Sequence, residues 1–104
     1  MENRQNYKLS ALAKKDLLAI FNLTIQKWGE SKAREYAQKL SNGLDLLSQS
    51  PEIGKSRNEL YSNALSFPVG SHIIFYAINN ELNTNIEIAR VLHQHMDFEK
   101  QFVN

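Results

Sequence analysis

The sequence predicts an α+β domain: an N-terminal strand and a two-helix antiparallel hairpin on one face of a small, mainly antiparallel sheet, in the order β-α-α-β-β-β. Three observations predict it. Apolar residues repeat with a period near 3.6 between Ala11 and Leu47, and with a period of 2 after Leu65. Only Gly29-Glu30 separates the two helical stretches, which makes them neighbours in space. The chain has 104 residues, enough for one core, so a single domain spans 1–104.

Tyr7-Lys8-Leu9-Ser10 alternates apolar and polar side chains, as a short strand does. A strand followed by helices can return parallel to another strand, so one parallel contact is expected. Ser10 is placed to cap the first helix. In that helix Ala13, Leu17, Ile20, Phe21, Thr24 and Trp28 form one stripe. Gly29 then stands where a helix commonly ends. Ser31 is a candidate cap for the second helix, whose stripe is Ala33, Tyr36, Ala37, Leu40, Leu44 and Leu47. Pro51 closes it, because the residue before a proline avoids helical geometry.

Beyond an irregular stretch, Leu65, Phe67 and Val69 alternate with Ser66, Pro68 and Gly70. Gly70-Ser71 fits a two-residue hairpin turn with glycine first. His72 to Ile78 is apolar on both parities, which predicts a central strand covered on both faces. Asn79 to Thr84 is a turn rich in asparagine. In the last strand, Asn85 to His93, one parity carries Ile86, Ile88, Arg90 and Leu92. The tail can form a short helical turn at 97–101.

Composition excludes several classes. Apolar residues are 42% of the chain and charged ones 22%, which is globular and not disordered. No apolar run approaches the ~20 residues of a membrane helix, and Met1 to Asn6 has no apolar stretch of the secretory kind. Cysteine is absent, which removes disulfides and thiolate chemistry and suits a cytoplasmic location. Residues 1–50 hold eight Lys/Arg against five Asp/Glu, and residues 51–104 four against six. The net +1 is too small for a phosphate-binding surface, so sequence-specific nucleic-acid binding is not expected.

No nucleotide loop, zinc-protease pair or nucleophile elbow occurs, so no cofactor is expected. His93, His95 and Asp97 form an H-x-H-x-D run that would share one side of an extended segment. Metal ligation is one reading. The favoured one is two polar histidines at a strand end, with Asp97 capping the terminal helix. His72 reads as a partly buried, hydrogen-bonded residue. Arg90 interrupts an apolar parity and must be paired, with Glu59 or Asp97 as candidates, or must grip a phosphate or carboxylate. Metal-free RNA cleavage would draw on Arg57, Arg90, His72, His93, His95 and Tyr76, a thin electrostatic supply.

The chain resembles the ParE-type toxins of the RelE/ParE superfamily, the toxin halves of bacterial type II toxin–antitoxin pairs. The residues that carry the resemblance begin with Tyr7-x-Leu9-Ser10-x-x-Ala13-x-x-Asp16-Leu17-x-x-Ile20, then Thr24, Trp28-Gly29, Ala33 and Tyr36. They continue with Pro51-x-x-Gly54-x-x-Arg57-x-Glu59-Leu60, Phe67 through His72, Ile74-Phe75-Tyr76, and Ile88-x-Arg90-Val91-Leu92-His93-Gln94-x-Met96-Asp97. The resemblance implies a cognate, ParD-like antitoxin and DNA gyrase as the target, inhibited by protein binding with no catalytic residues. Some cations usual in relatives are missing: Ala77 follows Tyr76, and His95 stands between Gln94 and Met96. Target-binding candidates are Arg57, Arg90, His93, His95, Asp97 and Phe102. Antitoxin-groove candidates are Leu17, Phe21, Trp28, Tyr36 and Phe75. The alternatives are a RelE-like mRNA endoribonuclease and a decayed module that still binds an antitoxin.

Overall fold

The computed structural model describes residues 7–79 and 86–102. The order is β1 (Tyr7–Leu9), α1 (Ala11–Trp28), α2 (Glu30–Gln49), a 3₁₀ turn (Pro51–Ile53), β2 (Lys55–Ser56), β3 (Leu65–Val69), β4 (His72–Ile78), β5 (Ile86–His93) and α3 (Phe98–Gln101). The five strands form one sheet in the order β1-β5-β4-β3-β2. β1 runs parallel to β5, and the other pairs are antiparallel. The expected fold class and its single parallel contact are both present. The asparagine-rich turn falls, from residue 80 onward, outside the described residues, as does the stretch 1–6.

Local chemistry explains most boundaries. Ser10 Oγ accepts from the Ala13 N–H at 2.9 Å and so caps α1. Gly29 sits at φ +92°, ψ 170°, a region open almost only to glycine, and its N–H donates to the Ile25 carbonyl. Gly29 is also the residue from which α2 starts, so Ser31 lies inside the helix and does not cap it. Glu30 in that first turn favours the helix dipole instead. The stretch expected to be irregular contains β2, two residues paired with Ser66 and Leu65. Two residues are too few for any periodicity to show.

At the β3–β4 turn Gly70 has φ +59°, while Ser71 stays at negative φ, the pattern of a II′ hairpin. The helices cover one face of the sheet. Leu40, Leu44 and Leu47 of α2 pack there with Ile74, Tyr76, Ile86, Ile88 and Val91. Burial of each such side chain contributes roughly 1.5–3 kcal/mol. Tyr76 is fully buried, and its Oη–H donates to the Pro51 carbonyl at 2.7 Å, which ties the end of α2 to the sheet.

The opposite face carries a second, aromatic cluster. Phe75 is fully buried and alternates with Ile74 and Tyr76, so it points away from the helices. Phe98 and Phe102 meet it edge-on, with centroids 5.0 and 5.2 Å away. β4 is thus covered on both faces, as its two apolar parities require. Tyr61 lies 5.1 Å from Phe102. Its hydroxyl is buried with no partner among the described residues, and burial, with the Glu87 charge second, pushes its pKa up to about 12.

The register of β5 shifts between Phe75 and Tyr76, which pair with Arg90 and Ile88. Ala89 is the extra residue of a β-bulge. This corrects the simple alternation read along the last strand. Ile86, Ile88 and Val91 share the helix-facing side, and Arg90 leaves it.

Candidate functional site

The bulge and the shortness of β1 together create the surroundings of Arg90. β1 ends at Leu9, so the outer edge of β5 beyond Ile88 has no strand beside it. The start of α1 closes that edge. The Ser10 N–H donates to the Ile88 carbonyl at 3.0 Å, and Ser10 Oγ to the Ala89 carbonyl at 2.7 Å. One helical turn on, Asp16 Oδ2 accepts the Val91 N–H at 3.0 Å. The same carboxylate takes Arg90 as a fork, Nε to Oδ2 at 2.8 Å and Nη2 to Oδ1 at 2.9 Å. Both side chains are only 14% exposed. These hydrogen bonds raise the Arg90 pKa further, which keeps the guanidinium charged.

Arg90 is therefore paired, but with neither expected partner. Glu59 bonds Arg57 Nε at 2.8 Å, and that hydrogen bond holds its carboxyl below the usual range. Asp97 caps α3 by accepting the Lys100 N–H at 3.3 Å. Sequence reasoning missed Asp16, although it stands in the quoted Ala13-x-x-Asp16-Leu17 motif. Its one visible signal was an acid among the half-buried residues of an amphipathic helix.

Two hollows border the helical hairpin. The inner one, about 230 Å³, lies between α1, α2 and β1 and is lined by uncharged residues including Leu17, Phe21 and Tyr36. The outer one is an open cleft of about 750 Å³ between the hairpin and the ends of β4 and β5. Its apolar lining is Ile20, Leu23, Trp28, Val91, Leu92 and Met96, and Lys27, Lys32 and Lys39 also border it. Trp28 is 71% exposed and Leu23 53%, large apolar surfaces left open to solvent. Lys32 lies 3.8 Å from Glu35, whereas Lys27 and Lys39 have no partner among the described residues.

The five groove candidates do not form one groove. Leu17 and Phe21 line the inner hollow, Trp28 the outer cleft, and Tyr36 both. Phe75 borders neither and lies buried on the other face of the sheet.

The target-binding candidates divide in a similar way. Arg57 lies over the Phe75 and Phe98 rings at 5.7 and 5.4 Å, beside Phe102 on that far face. His93 borders the cleft, and His95 stands next to it with ring centroids 5.2 Å apart. His93 Nδ1 accepts the His95 N–H at 3.2 Å, so that nitrogen is engaged within the run itself. No group of three metal-ligating side chains is formed among the described residues.

His72 pairs directly with His93 across the strands, with their rings edge-on at 5.3 Å. Its Nδ1 lies 2.6 Å from the Tyr36 hydroxyl, which also accepts the Ser71 N–H at 3.0 Å. Burial first, and the neighbouring His93 second, lower the His72 pKa from its ordinary value, against a smaller opposing pull from Asp16. The expectation of a partly buried, hydrogen-bonded histidine holds. Tyr76, named with the histidines for RNA cleavage, lies in the core away from this cleft. No described helix is long and apolar enough to cross a membrane.

The arrangement is an apolar, cation-rimmed cleft, with the shielded Arg90 outside its lining. Comparison with known proteins identifies the family. Residues 7–98 match the family described as the ParE toxin of the type II toxin–antitoxin system parDE. Toxin ParE1 of Mycobacterium tuberculosis is 33% identical over 94 residues, covering 90% of this chain and 94% of that protein. Toxin ParE1 of Caulobacter vibrioides is 34% identical over 91 residues, covering 88% and 91%. Among solved structures, the chromosomal ParDE TA system of P. aeruginosa superposes with a TM-score of 0.71 at 19% identity, over 84% of this chain and 92% of that one. The toxin–antitoxin complex RelBE2 of M. tuberculosis gives 0.54 at 23% identity, over 84% and 94%; at these identities both show the fold alone. With its helical hairpin, closed sheet edge and motif order all in place from Tyr7 to Phe98, this chain belongs to the ParE family of type II toxins.

Proposed function

We propose that this toxin arrests DNA gyrase by binding it, and that a cognate antitoxin neutralises it by filling the outer cleft. The observation that carries the reading is the engagement of Arg90. Cleavage of RNA needs cations free to stabilise a phosphorane. Here the strand's arginine is committed to Asp16 on both forks and does not border the cleft. What the cleft offers is apolar area with lysines at its rim, which suits an amphipathic helix of a partner. The similar solved structures are a ParDE toxin–antitoxin system and the RelBE2 toxin–antitoxin complex, which supports an antitoxin partner here.

Purified toxin in molar excess is expected to block gyrase supercoiling and to leave total RNA intact. Unchanged supercoiling would remove gyrase as the target, and arginine-dependent loss of transcripts would favour the nuclease.

Trp28 is the expected anchor of the antitoxin. Replacing it with alanine should leave the fold intact, since most of its side chain is in solvent. Calorimetry against the product of the neighbouring reading frame should show binding weaker by about 30-fold, near 2 kcal/mol. Unchanged affinity would place the antitoxin elsewhere.

A further inference from the structure

At the β3–β4 turn, one hydroxyl ties the strand side of the cleft to α2. Ser71 and His72 are the part of that wall nearest the turn, and Tyr36 of α2 reaches across to both. The Tyr36 oxygen accepts the Ser71 N–H. Its single proton has two acceptors, His72 Nδ1 at 2.6 Å and the Val69 carbonyl at 3.4 Å. The shorter contact takes it when His72 is neutral and protonated on Nε2. The turn sits close against the tyrosine: a Cβ on Gly70 would lie 2.7 Å from the Tyr36 ring.

We propose that Tyr36 and His72 form an acid-released latch, in which proton uptake at His72 Nδ1 loosens the β3–β4 turn from α2 and widens the cleft. The added proton comes from solvent and makes Nδ1 a donor. The Tyr36 oxygen then faces two donors, Nδ1–H and the Ser71 N–H, and its own hydrogen must turn to Val69 at the longer distance. The new charge is poorly compensated. From β5 it meets His93, and next to that His95. From α2 the bordering groups are Lys32, Glu35 and Lys39, with Glu35 beside Lys32. From α1 they are Lys27 and Asp16, and Asp16 is already held by Arg90. The latch belongs to the free chain and does not depend on which partner fills the cleft.

The test is nuclear magnetic resonance and amide exchange on the free protein between pH 8 and pH 5. Ser71 amide protection, corrected for the intrinsic rate, should fall at least tenfold as pH drops, with the midpoint of the His72 imidazole. His72→Asn keeps an acceptor near the position of Nδ1 but does not titrate, so its Ser71 protection should stay level across the range. Tyr36→Phe should show at pH 8 the low protection of the parent at pH 5, which tests the latch even where His72→Asn does not fold. Constant Ser71 protection through the His72 titration overturns the proposal. So does a loss in His72→Asn that follows His93 or His95, or full protection in Tyr36→Phe.

Discussion

Arg90→Ala is expected to destabilise the folded chain by about 3 kcal/mol, because it leaves a largely buried carboxylate without its cation. The two side chains are equally shielded, and the geometry is a bidentate fork. Asp16 would keep only the Val91 N–H as a described partner. Arg90→Lys should recover little, since an ammonium cannot offer two parallel donors. The double variant Asp16→Ala, Arg90→Ala should lose less than the sum of the single losses, because neither leaves a stranded charge. Urea denaturation with an unchanged slope would read each value. A loss below 1 kcal/mol for Arg90→Ala would put the pair among ordinary surface bridges. The outcome also bears on mechanism: an arginine whose removal unfolds the protein is a brace for the sheet edge.

The second large effect is expected at Phe75. Truncation to alanine should cost about 4 kcal/mol, in the range for a fully buried aromatic ring. The ring also supports α3, through Phe98 and Phe102. Arg57 would lose one of the two rings it lies over. Phe75→Ala should therefore free the C-terminal segment before the rest of the chain unfolds. Hydrogen exchange across 98–101 should rise in the variant under conditions where α1 and α2 stay protected. Equal exchange in both proteins would mean that α3 is held by something other than this cluster.

The elements legible in the sequence were those whose signals are local. Ser10 announces α1, Gly70 announces a hairpin, and the change of period separates helices from strands. The two apolar parities of β4 correctly implied cover on both faces. They could not say that residues from the far end of the chain supply the second cover. Other features were not legible because their causes are distant or too small. Arg90 and Asp16 are 74 positions apart, and Glu59 and Asp97 were nearer in sequence. The bulge at Ala89 adds one residue, enough to turn Arg90 off the helix-facing side and invalidate a strict count of two. Ser31 had the right chemistry for a cap, yet Gly29 starts α2 because its unusual backbone can end one helix and begin another without an intervening loop. The groove candidates scattered for a related reason. Periodicity selects the apolar side of an element but does not say which of two neighbouring hollows a residue lines.

Having Gly29 as the whole connection removes slack between α1 and α2. A hinge of one residue in a conformation reserved for glycine cannot take up the small rotations that a longer loop absorbs. The two helices are therefore expected to move together as one stiff lever. Any widening of the cleft for the proposed antitoxin must come from the strands, and inserting even a short flexible stretch at this corner should uncouple the two arms and weaken that binding while leaving each helix formed.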